Sequence, residues 1–255
     1  MPHHARSRRP WAAHLLQAAA AAACAGTGVA QALIIDQGTM DAAEWAQVIV
    51  TQTGPATLQV FAQDFGGNPG SSWQHQYSVP AGNAAATRVR EANIYTAAAY
   101  DPALSGALAS LTIGFDVQVT FTSFSDGSAG FLIPALLQGG HVYRQAQGAI
   151  GPLSANWSPR TFTSVLAADW IEQDTNAHPD FSAAGSALQF GYLFSLGTTC
   201  PSTAGCRASA AGSALDNFHV QAIAAVPEPA TWLLMLVGAA AVAAARRRPV
   251  GAGGR

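Results

Sequence analysis

The segment Trp170-Ile171-Glu172-Gln173-Asp174 holds the two carboxylates best spaced for chemistry in this sequence. On a strand, alternate side chains share a face, so Glu172 and Asp174 would stand together. Two carboxyl groups flanking a scissile bond are what glycoside hydrolysis demands, one as acid and one as nucleophile or base. An acidic sheet edge in water is the plainer reading of the same residues. Other catalytic sets are missing. No Gly-x-Ser-x-Gly elbow occurs, and His75, His141, His178 and His219 are scattered without zinc-ligand spacing. Asp169, Glu172, Asp174 and Asp180 could supply oxygens to Ca²⁺, but their spacing fits no standard loop. Trp45, Trp73, Trp157 and Trp170 could offer stacking faces to sugars, although their number suits the core of a β-sandwich better. We therefore assign no catalytic residue, no metal ligand and no cofactor, and expect the chain not to be an enzyme.

The elements that must position these residues are strands. Runs rich in β-branched and aromatic residues, bounded by Gly, Pro, Asn or Ser, predict strands over 47–51, 57–61, 87–95, 111–124, 160–166, 187–196 and 217–223. Alternation is clearest from Thr112 to Phe121, where odd positions are mostly apolar and face a core. A short turn is expected at 41–47, and capped helical patterns are otherwise missing from the middle of the chain. No repeat of fixed period is visible, which excludes propellers and solenoids. The expectation is all-β: an antiparallel jelly-roll β-sandwich over residues 33–225.

The two ends read as targeting segments. Residues 1–32 begin with Arg6, Arg8 and Arg9 and continue through an apolar stretch. They close on Val29-Ala30-Gln31-Ala32, placing Ala30 and Ala32 at the −3 and −1 positions of a signal cleavage. Residues 226–255 carry Pro227-Glu228-Pro229, an uncharged run over 230–245, and Arg246-Arg247-Arg248. As a helix that run spans roughly 24 Å, short of the ~30 Å hydrocarbon core but insertable where the bilayer thins. The arginines would then stay cytoplasmic, leaving the body of the protein outside the inner membrane. Pro227 and Pro229 keep the junction extended and open to a processing enzyme.

Charge separates the parts further. The chain has no lysine, and only Arg88, Arg90, Arg144, Arg160 and Arg207 lie in the middle, against thirteen acidic residues, for a net charge of −8 there. Such a domain repels phosphate backbones, which excludes nucleic acid as a partner. Cys200 and Cys206 enclose a five-residue turn-prone segment. In an oxidising compartment so close a pair forms a disulfide, contributing roughly 2–3 kcal/mol at most.

The order Pro-Glu-Pro, apolar run, arginine cluster resembles the PEP-CTERM sorting signal of exported proteins in Gram-negative bacteria. That resemblance covers under a tenth of the chain. It implies recognition of Pro227, Glu228 and Pro229 by an exosortase, a transient stay in the inner membrane, and a final place at the cell surface or outside it. It also implies a link to exopolysaccharide and biofilm. The closing Asp216-Asn217-Phe218 strand, with Asp180-Phe181-Ser182 and Gln189-Phe190-Gly191-Tyr192, resembles jelly-roll modules of the concanavalin-like and carbohydrate-binding kind. Extracellular polysaccharide is the partner this implies. The Glu172 segment is similar to the Glu-x-Asp-x-x-Glu strand of retaining glucanases, but Ala177 stands at the second Glu position. The carboxylate pair is thus incomplete, leaving a divergent hydrolase as the weakest alternative.

Overall fold

The β-branched and aromatic runs are realised in twelve strands among the described residues. The computed structural model describes residues 32–225, apart from 39, 82–86, 123–128, 148–153, 165, 173–174 and 199–207, together with a helical turn at 238–240. Residues 31–225 make one compact unit. No helix among the described residues is long and apolar enough to cross a membrane. The expected spanning run over 230–245 lies outside them except for that one turn.

The strands are β1 (Ala32–Gln37), β2 (Trp45–Thr53), β3 (Thr57–Gly67), β4 (Gly70–Val79), β5 (Thr87–Tyr95), β6 (Leu108–Thr122), β7 (Ala129–Gln138), β8 (His141–Gln145), β9 (Ser158–Ser164), β10 (Trp170–Glu172), β11 (Leu188–Thr198) and β12 (Ser209–Ala224). One sheet runs β3-β4-β12-β6-β9, with β1 also on β12, and the other runs β10-β8-β7-β11-β5-β2. Every described pairing is antiparallel. The result is the expected jelly-roll sandwich. The central strand β12 is shared on one edge, where β4 pairs with 209–215 and β1 with 218–223. Its other edge carries β6 throughout.

The odd positions of β6 (Leu111, Ile113, Phe115 and Val117) are buried between the sheets, as alternation predicts. Trp45 packs edge-on to Phe218, with ring centroids 5.0 Å apart, and lies 5.7 Å from Tyr192. This joins β2 and β11 to β12 across the sandwich. Glycine matters where strands crowd. A Cβ at Gly191 in β11 would lie 2.0 Å from the Asn93 carbonyl oxygen, so only glycine lets β11 and β5 approach this closely.

The strands that sequence reasoning did not place are instructive. In β7, Ile133 and Ala135 are as buried as Leu132 and Leu136 on the opposite face, so alternation vanishes. By parity Ala92, Ile94, Ile133, Ala135, Val142 and Leu193 form a separate cluster on the face of the second sheet turned away from the first. Pro134 argues against a central strand. The β7–β8 ladder stops at Ala135, next to the residue that lacks an N–H. In β4 the inward row Trp73, His75, Tyr77 and Val79 does alternate. A histidine at full burial hides that pattern. At 42–44 the expected turn is a 3-10 turn, with Asp41 accepting from Ala43 N at 2.9 Å.

Two buried ionisable groups stand in this interior. His75 is fully enclosed, and its Nε2 meets the Tyr192 hydroxyl at 3.0 Å while its ring stacks on Phe194. Burial pushes the imidazole pKa down to about 3. Glu91 on β5 is pushed up to about 7 by burial, which outweighs the opposing influence of the Asn93 side chain. A carboxyl raised in the folded state stabilises fully below its ordinary value of 4.5, and that contribution is lost as pH rises towards 7. His75 has the opposite slope, its contribution falling as pH drops below 6.5, so the two offset each other in part between. Glu91→Gln should therefore exceed the native protein in stability by roughly 2–3 kcal/mol at pH 8. That advantage should vanish by about pH 4.5, the ordinary carboxyl value. Urea unfolding across this range checks both statements.

Candidate functional site

The Glu172 segment can be judged from its geometry. Glu172 ends β10, where Oε1 lies 2.6 Å from Nδ1 of the exposed His141 and Oε2 accepts from the Thr175 hydroxyl. These hydrogen bonds, Thr175 first and then His141, hold its carboxyl below the usual range. A general acid needs the reverse. Asp174 lies outside the described residues. Asp169 accepts from Leu166 N, and Asp180 from Ser182 N, each in a local turn. Among the described residues no three His, Cys, Asp or Glu side chains stand together as metal ligands.

The tryptophans divide as their number suggested. Trp45, Trp73 and Trp170 are core residues, and Trp157 is half-buried. Ala32 opens β1 opposite Ile223. Ala30, Cys200, Cys206, Pro227, Glu228, Pro229, Arg246, Arg247 and Arg248 lie outside the described residues.

The closing strand builds the most connected polar cluster. The register of β12 shifts between Asp216 and His219, and Asn217 takes a φ of 50° at that bulge. The bulge turns Phe218 inward to full burial and leaves Asp216 facing out. Yet Asp216 is fully covered, because the β3–β4 turn folds over it. Its two oxygens accept from Asn68 N and from Asn217 N, the latter at 2.7 Å. The Asn217 amide then bridges Asn68 O and Asp116 Oδ2, and Asn68 Nδ2 reaches the same Asp116 oxygen at 2.9 Å. Burial raises the Asp216 pKa; the backbone donors oppose this, and the Asp116 charge adds a smaller rise. Beside the cluster His219 lies flat over Gly114, where a Cβ would come within 2.1 Å of its ring.

The cluster shares its side of the first sheet with a broad polar face. On the outer side of the first sheet, Gln59 and Gln63 of β3, Gln76 of β4, Gln118 of β6, Gln221 of β12 and Thr161 and Thr163 of β9 all point away from the core by parity. Phe61 stands among them at 38 % exposure, the one large aromatic more than a third exposed among the described side chains. Neutral amides and hydroxyls around a ring can exchange hydrogen bonds with a polyhydroxylated ligand while the ring supplies an apolar surface. Sequence reasoning looked for tryptophan and missed Phe61, Asn68 and Asp116. The period-two row Gln59, Phe61 and Gln63 was the available signal.

The last residue of β12 is Ala224, and the PEP-CTERM protein-sorting motif family matches residues 225–248, starting at the next residue. The chain carries a PEP-CTERM sorting motif. No curated protein matches it in sequence. Among solved structures, the chain is similar to a family 11 carbohydrate-binding module from Clostridium thermocellum in complex with a β-1,3-1,4-mixed-linked tetrasaccharide. The two share 10 % identity at a TM-score of 0.40, over 77 % of this chain and 98 % of that one. A CBM22-1 xylan-binding domain from Paenibacillus barcinonensis Xyn10C matches at 16 % identity and a TM-score of 0.32, over 76 % and 94 %. The glycoside hydrolase domain of Endo-D from Streptococcus pneumoniae R6 matches at 11 % identity and a TM-score of 0.35, over 69 % of this chain and 21 % of that one.

Replacing Asp216 by Ala strips acceptors from two backbone N–H groups at the bulge. We expect a loss of about 2–4 kcal/mol in unfolding free energy, measured by urea titration.

Proposed function

We propose that this chain is an exported, non-catalytic surface protein, delivered by its PEP-CTERM tail, whose β-sandwich binds extracellular polysaccharide in an exopolysaccharide or biofilm layer. The sorting motif at 225–248, directly after the last strand, carries this reading. On it, residues 1–32 open export and are removed after Ala32. The Arg246-Arg247-Arg248 cluster holds the precursor in the inner membrane. An exosortase then acts at Pro227-Glu228-Pro229. The Cys200–Cys206 disulfide belongs to the same exported state.

Polysaccharide as the ligand is supported by the neutral amide and hydroxyl face around Phe61 and by the net charge of −8 on the middle of the chain, which disfavours anionic polymers. A hydrolase reading has less behind it, because both oxygens of Glu172 are engaged and its carboxyl is held low.

Deleting residues 226–255 should abolish processing and move the protein away from the cell surface, as cell fractionation would register; unchanged processing and location would overturn the sorting role. Retention on neutral β-glucans in affinity electrophoresis should be lowered about tenfold by Phe61→Ala, the loss of one stacking contact. A native protein that no polysaccharide retards would end the binding reading and leave the sorting role standing.

A further inference from the structure

Trp45 Nε1, Glu91 Oε1, Asn93 Nδ2 and Ser213 Oγ are buried without a hydrogen-bond partner among the described residues. Their residues are 8 %, 4 %, 0 % and 3 % exposed. They belong to one region of the interior. Asn93 Oδ1 accepts from Trp73 Nε1 at 3.3 Å, and the Trp73 ring lies 6.2 Å from that of Trp45. Tyr192 and Asn93 are cross-strand partners, as are Phe194 and Glu91. His75, which bonds Tyr192 and stacks on Phe194, is the cross-strand partner of Ser213. Both sheets therefore aim unsatisfied polar atoms into one flank of the sandwich.

Buried polar groups in native interiors are satisfied in roughly nine cases out of ten, so several orphans in one region point to a shared bridging group. Its chemistry follows from theirs. The indole and amide N–H groups are donors and would repel a cation. The carboxyl of Glu91 would repel an anion. What remains is a small neutral species that both donates and accepts, and Ser213 can serve it in either sense.

We propose that this flank is an internal hydration site, in which ordered water bridges Glu91, Asn93, Ser213 and Trp45 between the two sheets. Buried water of this kind makes two to four hydrogen bonds to polar groups that lack protein partners. The site divides the interior into a dry part around Phe115 and Leu132 and a wet part beside His75. Hydration also supplies the route by which Glu91 exchanges its proton within the core.

The test is water–protein cross-relaxation by nuclear magnetic resonance on the isotope-labelled full chain. The indole N–H of Trp45 should show a cross-peak to long-lived water, whereas that of Trp73, already bonded to Asn93, should show none. A Trp45 indole without such a cross-peak would overturn the proposal. Glu91→Leu, which fills the region with hydrocarbon, should abolish the Trp45 signal; a folded variant that keeps it would likewise refute the site. Because both readings come from the native fold and its core, their failure leaves the sorting and glycan-binding reading untouched.

Discussion

One bulge in the last strand holds the two chemistries of this protein apart. A strand obeys strict alternation, so a single residue out of register exchanges its inner and outer rows. The shift between Asp216 and His219 lets Leu215 and Phe218, three positions apart, both face the core. Without it Phe218 would leave Trp45, and β1 could not continue the edge that β4 begins. The bulge needs backbone donors satisfied at a place where a turn covers them, and Asp216 does this. The Asn68 turn and the Asn217 backbone both meet at that one carboxylate, and their side-chain amides share Asp116 beside it.

Much of this architecture is legible from residue order, and the places where it is not are physically specific. Alternation in β6 and the β-branched run of β5 identify their strands directly, and the 87–95 boundaries agree residue for residue. β7 is apolar on both faces because the second sheet has buried clusters on both sides, which erases the period. β4 places a histidine in its inward row, where a pattern search wants a hydrocarbon side chain. The closing Asp-Asn-Phe triplet was visible as a motif, but its meaning lay in tertiary partners 100 or more residues away: Asn68 to Asp216 spans 148 positions, and Asn217 to Asp116 spans 101. No local signal encodes such contacts.

The faces of the two sheets differ in kind. The first carries amides and hydroxyls with one half-exposed ring, whereas the second carries an aliphatic cluster around Ala92, Ile133 and Leu193. Burial of Glu91 and His75 in the layer between adds opposing proton-linked terms that soften the response to moderate acid.

The short distance from Ala224 to Pro227 has a mechanical corollary. Any tether through the tail attaches to a central strand rather than to an edge or a loop. Force applied along β12 loads its ladders to β6, β4 and β1 in shear, so many hydrogen bonds must yield together instead of one after another. A domain pulled through that tail would be gripped at a strand with ladders to three neighbours.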